Sequence, residues 1–281
     1  MPGKTVKKNI FMSKNIVIIP TYNEKENIEA IIRKVFSLEV DFHILIVDDG
    51  SPDGTAIIVK KLQQEFGQRL HLIERSGKLG LGTAYITGFK YCLEQGYDFV
   101  YEMDADFSHN PEDLVRLYNA CAVEGADMSI GSRYVSGVNV VNWPMKRVLM
   151  SYFASKYVQF ITGIPFNDTT AGFVCYSRRV LQHMDLEKIK FVGYAFQIEM
   201  KFTIWKHGFN IVEVPIVFTD RTQGESKMSG GIFKEAVFGV IKMKLSSFFR
   251  KYEPCSLPKH VVVEAASEIE EKKEEASLVE A

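Results

Sequence analysis

An α/β architecture, a mostly parallel sheet with helices on both faces, is predicted by three observations. Short apolar runs rich in β-branched residues alternate with segments whose apolar residues recur at helical spacing. The early runs end in polar turn clusters that lead into helices, the pattern of βα units. The chain has 281 residues with 46% hydrophobic content, enough to build the core of one large α/β domain or two small ones.

Residues 15–20, an Ile-Val-Ile-Ile run closed by Pro20, predict a buried strand, and Asn23 or a neighbour should cap the helix carrying Ile28, Ile31, Ile32 and Val35. A second strand at 42–47 leads into a dense turn cluster, 48–55, and a helix with Ile57, Ile58 and Leu62. A third short strand covers 70–73. The glycine-rich stretch 77–84 follows it: its N–H groups could cradle phosphate at a helix N-terminus, or it is a flexible connection, the commoner role of such a stretch. No Gly-Lys-Ser/Thr closes that stretch, so it is not a P-loop.

Residues 97–103 read as a buried strand that delivers Asp104 and Asp106 to its edge. Residues two apart on an extended chain point the same way, so both carboxylates can converge on one Mg²⁺ or Mn²⁺. A solvated turn is the competing reading of the pair. Pro111, with acidic residues beside it, opens the next helix. A strand at 127–131 then exits through Arg133, whose planar fork suits a phosphate or carboxylate, or else a surface ion pair.

Segment 143–162 sets Val148, Leu149, Tyr152, Phe153 and Phe160 against Lys146, Arg147 and Lys156, the composition of an interfacial amphipathic helix or of one packed on the sheet. Residues 168–173 lead into a strand through Cys175, Arg178 begins a helix, and another helix, 194–205, carries Gln197 and Glu199. A strand at 211–218 contains Pro215 and belongs at an edge or bulge. The polar loop 220–227 holds Arg221 and Lys227, able to close over a diphosphate and neutralise a leaving group. A second basic and aromatic amphipathic segment spans 232–249, and the glutamate-rich stretch beyond has little to bury.

A net charge of -1 argues against nucleic acid as a partner. Cys92, Cys121, Cys175 and Cys255 lack metal-site or disulfide spacing and fit a reducing cytosol. Residues 1–14 do not read as a signal peptide, and no apolar run reaches the ~18 residues of a spanning helix.

Taken together, six rim segments resemble dolichyl-phosphate mannosyltransferases over about 15–249: Pro20 to Glu24, Val47 to Thr55, Leu79 to Tyr85, Met103 to Pro111, Gly131 to Tyr134, and Asp220 to Lys227. The resemblance implies an inverting family-two glycosyltransferase of the GT-A (Rossmann-like) fold, to which the residue pattern adds amphipathic C-terminal helices. It implies that Pro20, Tyr22, Glu24, Val47 and Asp49 hold the guanosine of GDP-mannose, and that Asp104, Ala105 and Asp106 lie at the diphosphate, the two aspartates binding Mg²⁺ or Mn²⁺. Arg133 would meet the acceptor phosphate or the diphosphate, with Arg221 and Lys227 on the phosphates. Where some relatives carry a glutamine as a further metal ligand, this chain has Ser108.

The expected organisation is a flexible 1–14, a catalytic domain over 15–231, an interfacial helix over 232–250 and an acidic tail over 251–281 that is disordered or a loose helix. Other relatives add transmembrane helices after the catalytic domain. Here, attachment at the cytoplasmic face of a membrane must come from the amphipathic helices or a partner subunit. A polyprenyl phosphate is already a dianion near neutral pH, its second pKa being about 6, and needs a cationic clamp rather than a base. Arg133, with Arg147 or Lys146, fits that need. Competing readings are transfer of another hexose, such as glucose from UDP-glucose, transfer to a hydroxyl with Glu199 as base, and a catalytically silent nucleotide-sugar-binding scaffold.

Overall fold

A computed structural model describes residues 13–193, 195–221 and 231–258, with side chains from 237 onward in the last stretch. Its strands are β1 (Asn15–Thr21), β2 (Phe42–Asp48), β3 (Leu70–Glu74), β4 (Phe99–Glu102), β5 (Met128–Ser132), β6 (Val140–Val141), β7 (Val174–Ser177), β8 (Ile211–Pro215) and β9 (Phe218–Thr219). The helices are α1 (Ile28–Phe36), α2 (Thr55–Phe66), α3 (Leu81–Gln95), α4 (Asp113–Tyr118), α5 (Met145–Thr162), α6 (Arg178–His183), α7 (Ala195–Lys206) and α8 (Gly231–Ser247).

Seven strands form one sheet in the order β3-β2-β1-β4-β7-β5-β8. Every neighbouring pair is parallel except those made by β7, which runs antiparallel to both β4 and β5. The α/β, mostly parallel prediction is therefore borne out, with one reversed strand that apolar runs cannot reveal. The strand expected over 211–218 divides. β8 ends at Pro215 on the sheet edge, where the missing proline N–H costs no ladder bond. β9 leaves the sheet and pairs with β6.

The two-residue period of β1 builds a core on each face. Ile16 and Ile18 join Tyr85 and Phe89 of α3 and Phe196 and Phe202 of α7. Val17 and Ile19 join Ile28, Ile31 and Ile32 of α1 and Leu114 and Leu117 of α4. All four β1 side chains are fully buried, each contributing about 1.5–3 kcal/mol of burial. Asn23 does not cap α1. It sits at φ 56°, and α1 begins after Asn27, whose side chain bonds Glu24 instead of the helix end.

Parallel β1, β2 and β4 end at the same edge, so their exit loops share one rim. The antiparallel β7 starts at that edge, which brings the loop before it, 163–173, to the same rim. β5 is parallel to β8 and antiparallel to β7, so Arg133 leaves there as well.

Gly131 is a tight joint beside the rim: a Cβ there would meet Phe173 Cδ1 at 2.7 Å and the Phe173 carbonyl at 3.2 Å. Gly131→Ala is expected to cost about 1–3 kcal/mol by overpacking. In thermal melts of a chain this size, that lowers Tm by about 2–4 °C per kcal/mol; an unchanged Tm would show that β7 gives way without cost.

Candidate active site

Asp104 and Asp106 lie just past the end of β4, as the spacing predicts. Asp106 is buried; one carboxylate oxygen accepts the Ser108 N–H at 3.0 Å and the other faces Arg221 Nη2 at 3.0 Å. Arg221 thus reaches the aspartate pair from the loop after β9. Lys227 lies outside the described residues. Asp104 is only partly buried and, among the described residues, makes no ion pair within 4.0 Å. Desolvation, then the neighbouring Asp106 charge, pushes its carboxyl up to about 7 against the pull of Arg221 and Arg133.

Beside the pair, Ser108 Oγ and the Tyr85 hydroxyl are buried with no hydrogen-bond partner. Two crowded carboxylates and an orphaned hydroxyl fit a hard divalent cation. Among the described residues no third His, Cys, Asp or Glu joins them, so diphosphate oxygens and water would complete the shell.

Arg133 arrives already paired. Its Nε and Nη2 donate to the two carboxylate oxygens of the fully buried Asp168, each at 2.7 Å, and its backbone N–H adds a third bond at 3.0 Å. Nη2 also donates to Thr170 Oγ1 at 2.9 Å, and the rings of Tyr134, Trp143 and Phe218 lie within 5.6 Å of the guanidinium carbon. Arg133 is therefore a charge-compensated, rigidly aimed cation rather than a bare one. Arg147, in the first turn of α5, bonds Asp220 at 2.7 Å and lies over Trp143 at 4.1 Å. Arg221 and Arg133 therefore act on the aspartates, and Arg147 holds Asp220, the residue beside Arg221. Lys146 is exposed on the same turn.

At the β1 and β2 exits, Tyr22 lies under Lys78 Nζ at 5.2 Å, and Glu24 is partly exposed nearby. Pro20 is the register partner of Val47, whose side chain is wholly in the core; only its backbone can face a ligand. Ala105 is buried between the two aspartates. Asp49 is held in an ion pair by Arg75, and its second oxygen accepts the Leu79 N–H at 3.2 Å. Arg75 also reaches Thr83 Oγ1 at 2.7 Å and the Gly80 carbonyl at 3.2 Å, so it welds the glycine-rich loop to β2. That loop is not the open phosphate cradle the glycines suggest, because its Leu79 and Gly82 N–H groups are spent on Asp49 and the Val192 carbonyl.

Glu199 also departs from the role of base: one carboxylate oxygen accepts the N–H groups of Lys190 and Phe191 at 2.8 and 3.0 Å. It secures the segment that packs on the start of α3. His109 is buried with its ring stacked on Phe173 at 4.9 Å, and burial pushes it down to about 4. It is neutral at physiological pH.

Arg75, Lys78, Asp168 and Thr170 were not singled out by sequence reasoning as site residues. Isolated polar residues in loops have no periodicity. Only the match of Asp168 to an arginine 35 positions earlier, visible in space, marks the pair.

Paired aspartates and arginines at the carboxyl ends of a mostly parallel sheet fit the GT-A glycosyltransferase fold. The model for glycosyl transferase family 2 matches residues 16–185, and the chain belongs to that family. It is 47% identical over 227 residues to a polyprenol monophosphomannose synthase of Mycolicibacterium smegmatis, covering 81% of this chain and 85% of the relative. It is 44% identical over 232 residues to an undecaprenyl-phosphate mannosyltransferase of Micrococcus luteus, covering 83% and 94%. These matches bear out the resemblance drawn from the six rim segments.

Two solved structures share the fold at low identity. One is a mannosyltransferase from Pyrobaculum calidifontis in complex with GDP-Man and Mn²⁺ (TM-score 0.54, 18% identical, covering 88% and 69%). The other is a glucosyl-3-phosphoglycerate synthase from Mycobacterium tuberculosis with Mn²⁺, UDP and its product (TM-score 0.58, 17% identical, covering 88% and 81%).

Burial alone would raise the Asp168 carboxyl, but the Arg133 charge and hydrogen bonds hold it below the usual range. A depressed folded value stabilises the fold fully above the unfolded pKa of ~3.9 and loses that contribution as pH falls through the lower folded value. Asp168→Asn, which strands the buried Arg133 charge, should lower unfolding free energy at neutral pH by about 3–5 kcal/mol. The gap from wild type in urea titrations should narrow only below pH ~4; a gap that closes near neutrality would assign the effect to another group.

Proposed function

We propose that the chain transfers mannose from GDP-mannose to a polyprenyl monophosphate, with inversion and with help from a divalent ion. The observation that carries the reading is that Arg221 faces Asp106 and the charges of Arg221 and Arg133 both act on Asp104, with Arg147 one residue away on Asp220, while Glu199 is committed to backbone N–H groups. The rim is thus supplied with cations for two anions, a diphosphate and an acceptor phosphate, and its proposed acceptor needs no deprotonation step. A hydroxyl acceptor would need a base, which Glu199 does not supply. A lipid phosphate arrives ionised, its second pKa being about 6.

Asp104 and Asp106 would hold Mg²⁺ or Mn²⁺ against the donor diphosphate, where the ion stabilises charge on the departing GDP. Tyr22, Glu24 and Asp49, with Pro20 and the Val47 backbone, would form the guanosine end. Arg221 is placed to follow the diphosphate charge as it grows. Arg133, oriented by Asp168, would aim the acceptor so that a phosphate oxygen bonds the anomeric carbon as the bond to the GDP oxygen breaks on the opposite face.

Among the described residues no helix is long and apolar enough to cross a membrane. Large apolar side chains of α5 and of the two residues after α8 nevertheless stay outside: Phe153, Phe160, Phe248 and Phe249 are 62%, 87%, 71% and 91% exposed, while Val158, Val240 and Met243 are buried. α5 buries only Ser155, Val158 and Thr162, so it is not a helix with one apolar face turned to the sheet. The helices are joined by Tyr157 to the Val237 carbonyl and Lys244 to the Thr162 carbonyl. We read this outward apolar surface, with Lys146, Lys156 and Lys242 around it, as a peripheral membrane contact at the cytoplasmic face, alone or with a membrane partner subunit.

The deciding assay supplies purified protein with a panel of nucleotide sugars, a polyprenyl phosphate and Mg²⁺ or Mn²⁺. Labelled lipid should form from GDP-mannose; formation from UDP-glucose instead would replace the donor assignment, and no transfer from any donor would leave a binding scaffold. Asp106→Asn should lower kcat by about 10²-fold or more with Tm held. Equal turnover in saturating metal would sink the metal-ligand role.

Vesicle co-sedimentation tests the membrane contact. Binding to anionic vesicles should weaken as salt rises, since each surface cation contributes about 1 kcal/mol. The Phe248→Asp/Phe249→Asp double variant should lose most of it. Binding indifferent to both would assign membrane delivery to a partner.

A further inference from the structure

Lys201 of α7 is completely buried, yet among the described residues no carboxylate lies within 4.0 Å of it. Its ammonium donates to three neutral oxygens: the Ala171 carbonyl at 2.6 Å, the Gln197 carbonyl at 3.4 Å and Gln197 Oε1 at 3.3 Å. The Gln197 amide passes the contact on, its Nε2 donating to Glu102 Oε2 at 2.5 Å. Glu102 is also fully buried and takes a further bond from the Tyr176 hydroxyl at 3.3 Å. A buried ammonium and a buried carboxyl are therefore joined through one amide that donates to the carboxyl and accepts from the ammonium. An amide flip would place like groups against each other at both ends.

The ends of this relay matter more than its middle. Glu102 is the last residue of β4 and lies two positions before Asp104, on the same side of an extended chain. Ala171 follows Asp168 and Thr170, the two residues that fix Arg133. β4 and β7 are antiparallel neighbours with Glu102 opposite Val174, so the aspartate turn and the Arg133-holding loop sit side by side across one strand gap. Lys201 and Gln197 fill the space beneath that gap. Burying two ionisable groups there is costly unless their hydrogen bonds are kept. Hydrophobic packing alone would be the cheaper filler.

We infer that Glu102, Gln197 and Lys201 form a positioning brace that holds the metal-binding aspartates and the Arg133 clamp in register, so that the donor and acceptor halves of the site are set by one buried network. The three are positioning residues and touch neither substrate. The inference rests on the mannosyl transfer proposed above, in which these halves serve different ligands.

The test is Gln197→Met, which keeps side-chain volume and neutrality but cuts the relay. Calorimetry of GDP with Mn²⁺ reads the donor half without turnover, and the KM for polyprenyl phosphate reads the acceptor half. The brace requires both constants to weaken together, by about tenfold each, in the folded protein, and Tm falls as well because Glu102 and Lys201 each lose a buried hydrogen bond. A purely structural role would lower Tm and the active fraction while leaving both constants at wild-type values. That result overturns the inference, as does weakening of one constant alone. Should Gln197→Met not fold, Glu102→Gln, which keeps shape and acceptor, carries the same two readings. Absence of transfer by wild-type protein would end the proposed function, while the GDP and Mn²⁺ calorimetry would still report on the donor half of the brace.

Discussion

Desolvated charge at one sheet rim is the constraint on which the rest of the molecule depends. A parallel sheet gathers the exits of β1, β2 and β4 in one place, and this chain brings Asp49, Asp104 and Asp106 there. Carboxylates taken out of water need compensation in excellent geometry, or they destabilise the fold that carries them. Asp49 has Arg75, Asp106 has Arg221, and the Arg133 guanidinium brought by β5 has Asp168. Asp104 is left without such an ion pair among the described residues, and its raised affinity for a proton expresses the same deficit that a divalent ion would fill.

The compensation is carried down into the scaffold. Glu213, on the edge strand β8, accepts the Ser132 hydroxyl at 2.7 Å, the Asn167 N–H at 2.8 Å and the Asp168 N–H at 2.9 Å. The loop that holds Arg133 is thus tied to the two strands flanking the arginine's own exit. A rigidly held Arg133 loses little conformational freedom when an anion binds, which is the energetic reason to bury a pair rather than leave a long cation in water.

Much of the fold was legible because buried strands and amphipathic helices write their periods into the chain. The Ile-Val-Ile-Ile run of β1 and the Ile28, Ile31, Ile32, Val35 stripe of α1 fall where expected. The direction of β7 was not, since alternation has no sign and the loop before it carries no turn signature that fixes the reversal. At the site, Asp104 and Asp106 were legible from a strand ending in two carboxylates, and Arg221 from its polar loop. Arg75, Asp168, Glu213 and Lys201 were not. Their importance lies in partners 26 to 81 residues away, and a single polar residue in a loop or on a helix gives no hint of such a partner. The glycine-rich loop was ambiguous for the opposite reason: its composition advertises free N–H groups, and the fold spends those of Leu79 and Gly82 on Asp49 and the Val192 carbonyl.

α5 joins the two problems that a soluble rim and a lipid acceptor would pose. Its first turn brings Arg147 to Asp220, whose neighbour Arg221 faces Asp106, so the helix begins at the charged site. Further along, Leu149, Met150, Phe153 and Phe160 stay outside although α8 packs beside them. Eighteen helical residues span about 27 Å. A surface that were only core would have closed over these side chains, because leaving large apolar groups in water forgoes about 1.5–3 kcal/mol apiece. An acceptor whose phosphate must reach arginines while its tail stays apolar needs both environments along one continuous path. In the proposed reaction, a helix that starts at the cations and continues as exposed aromatic and aliphatic surface supplies them in that order.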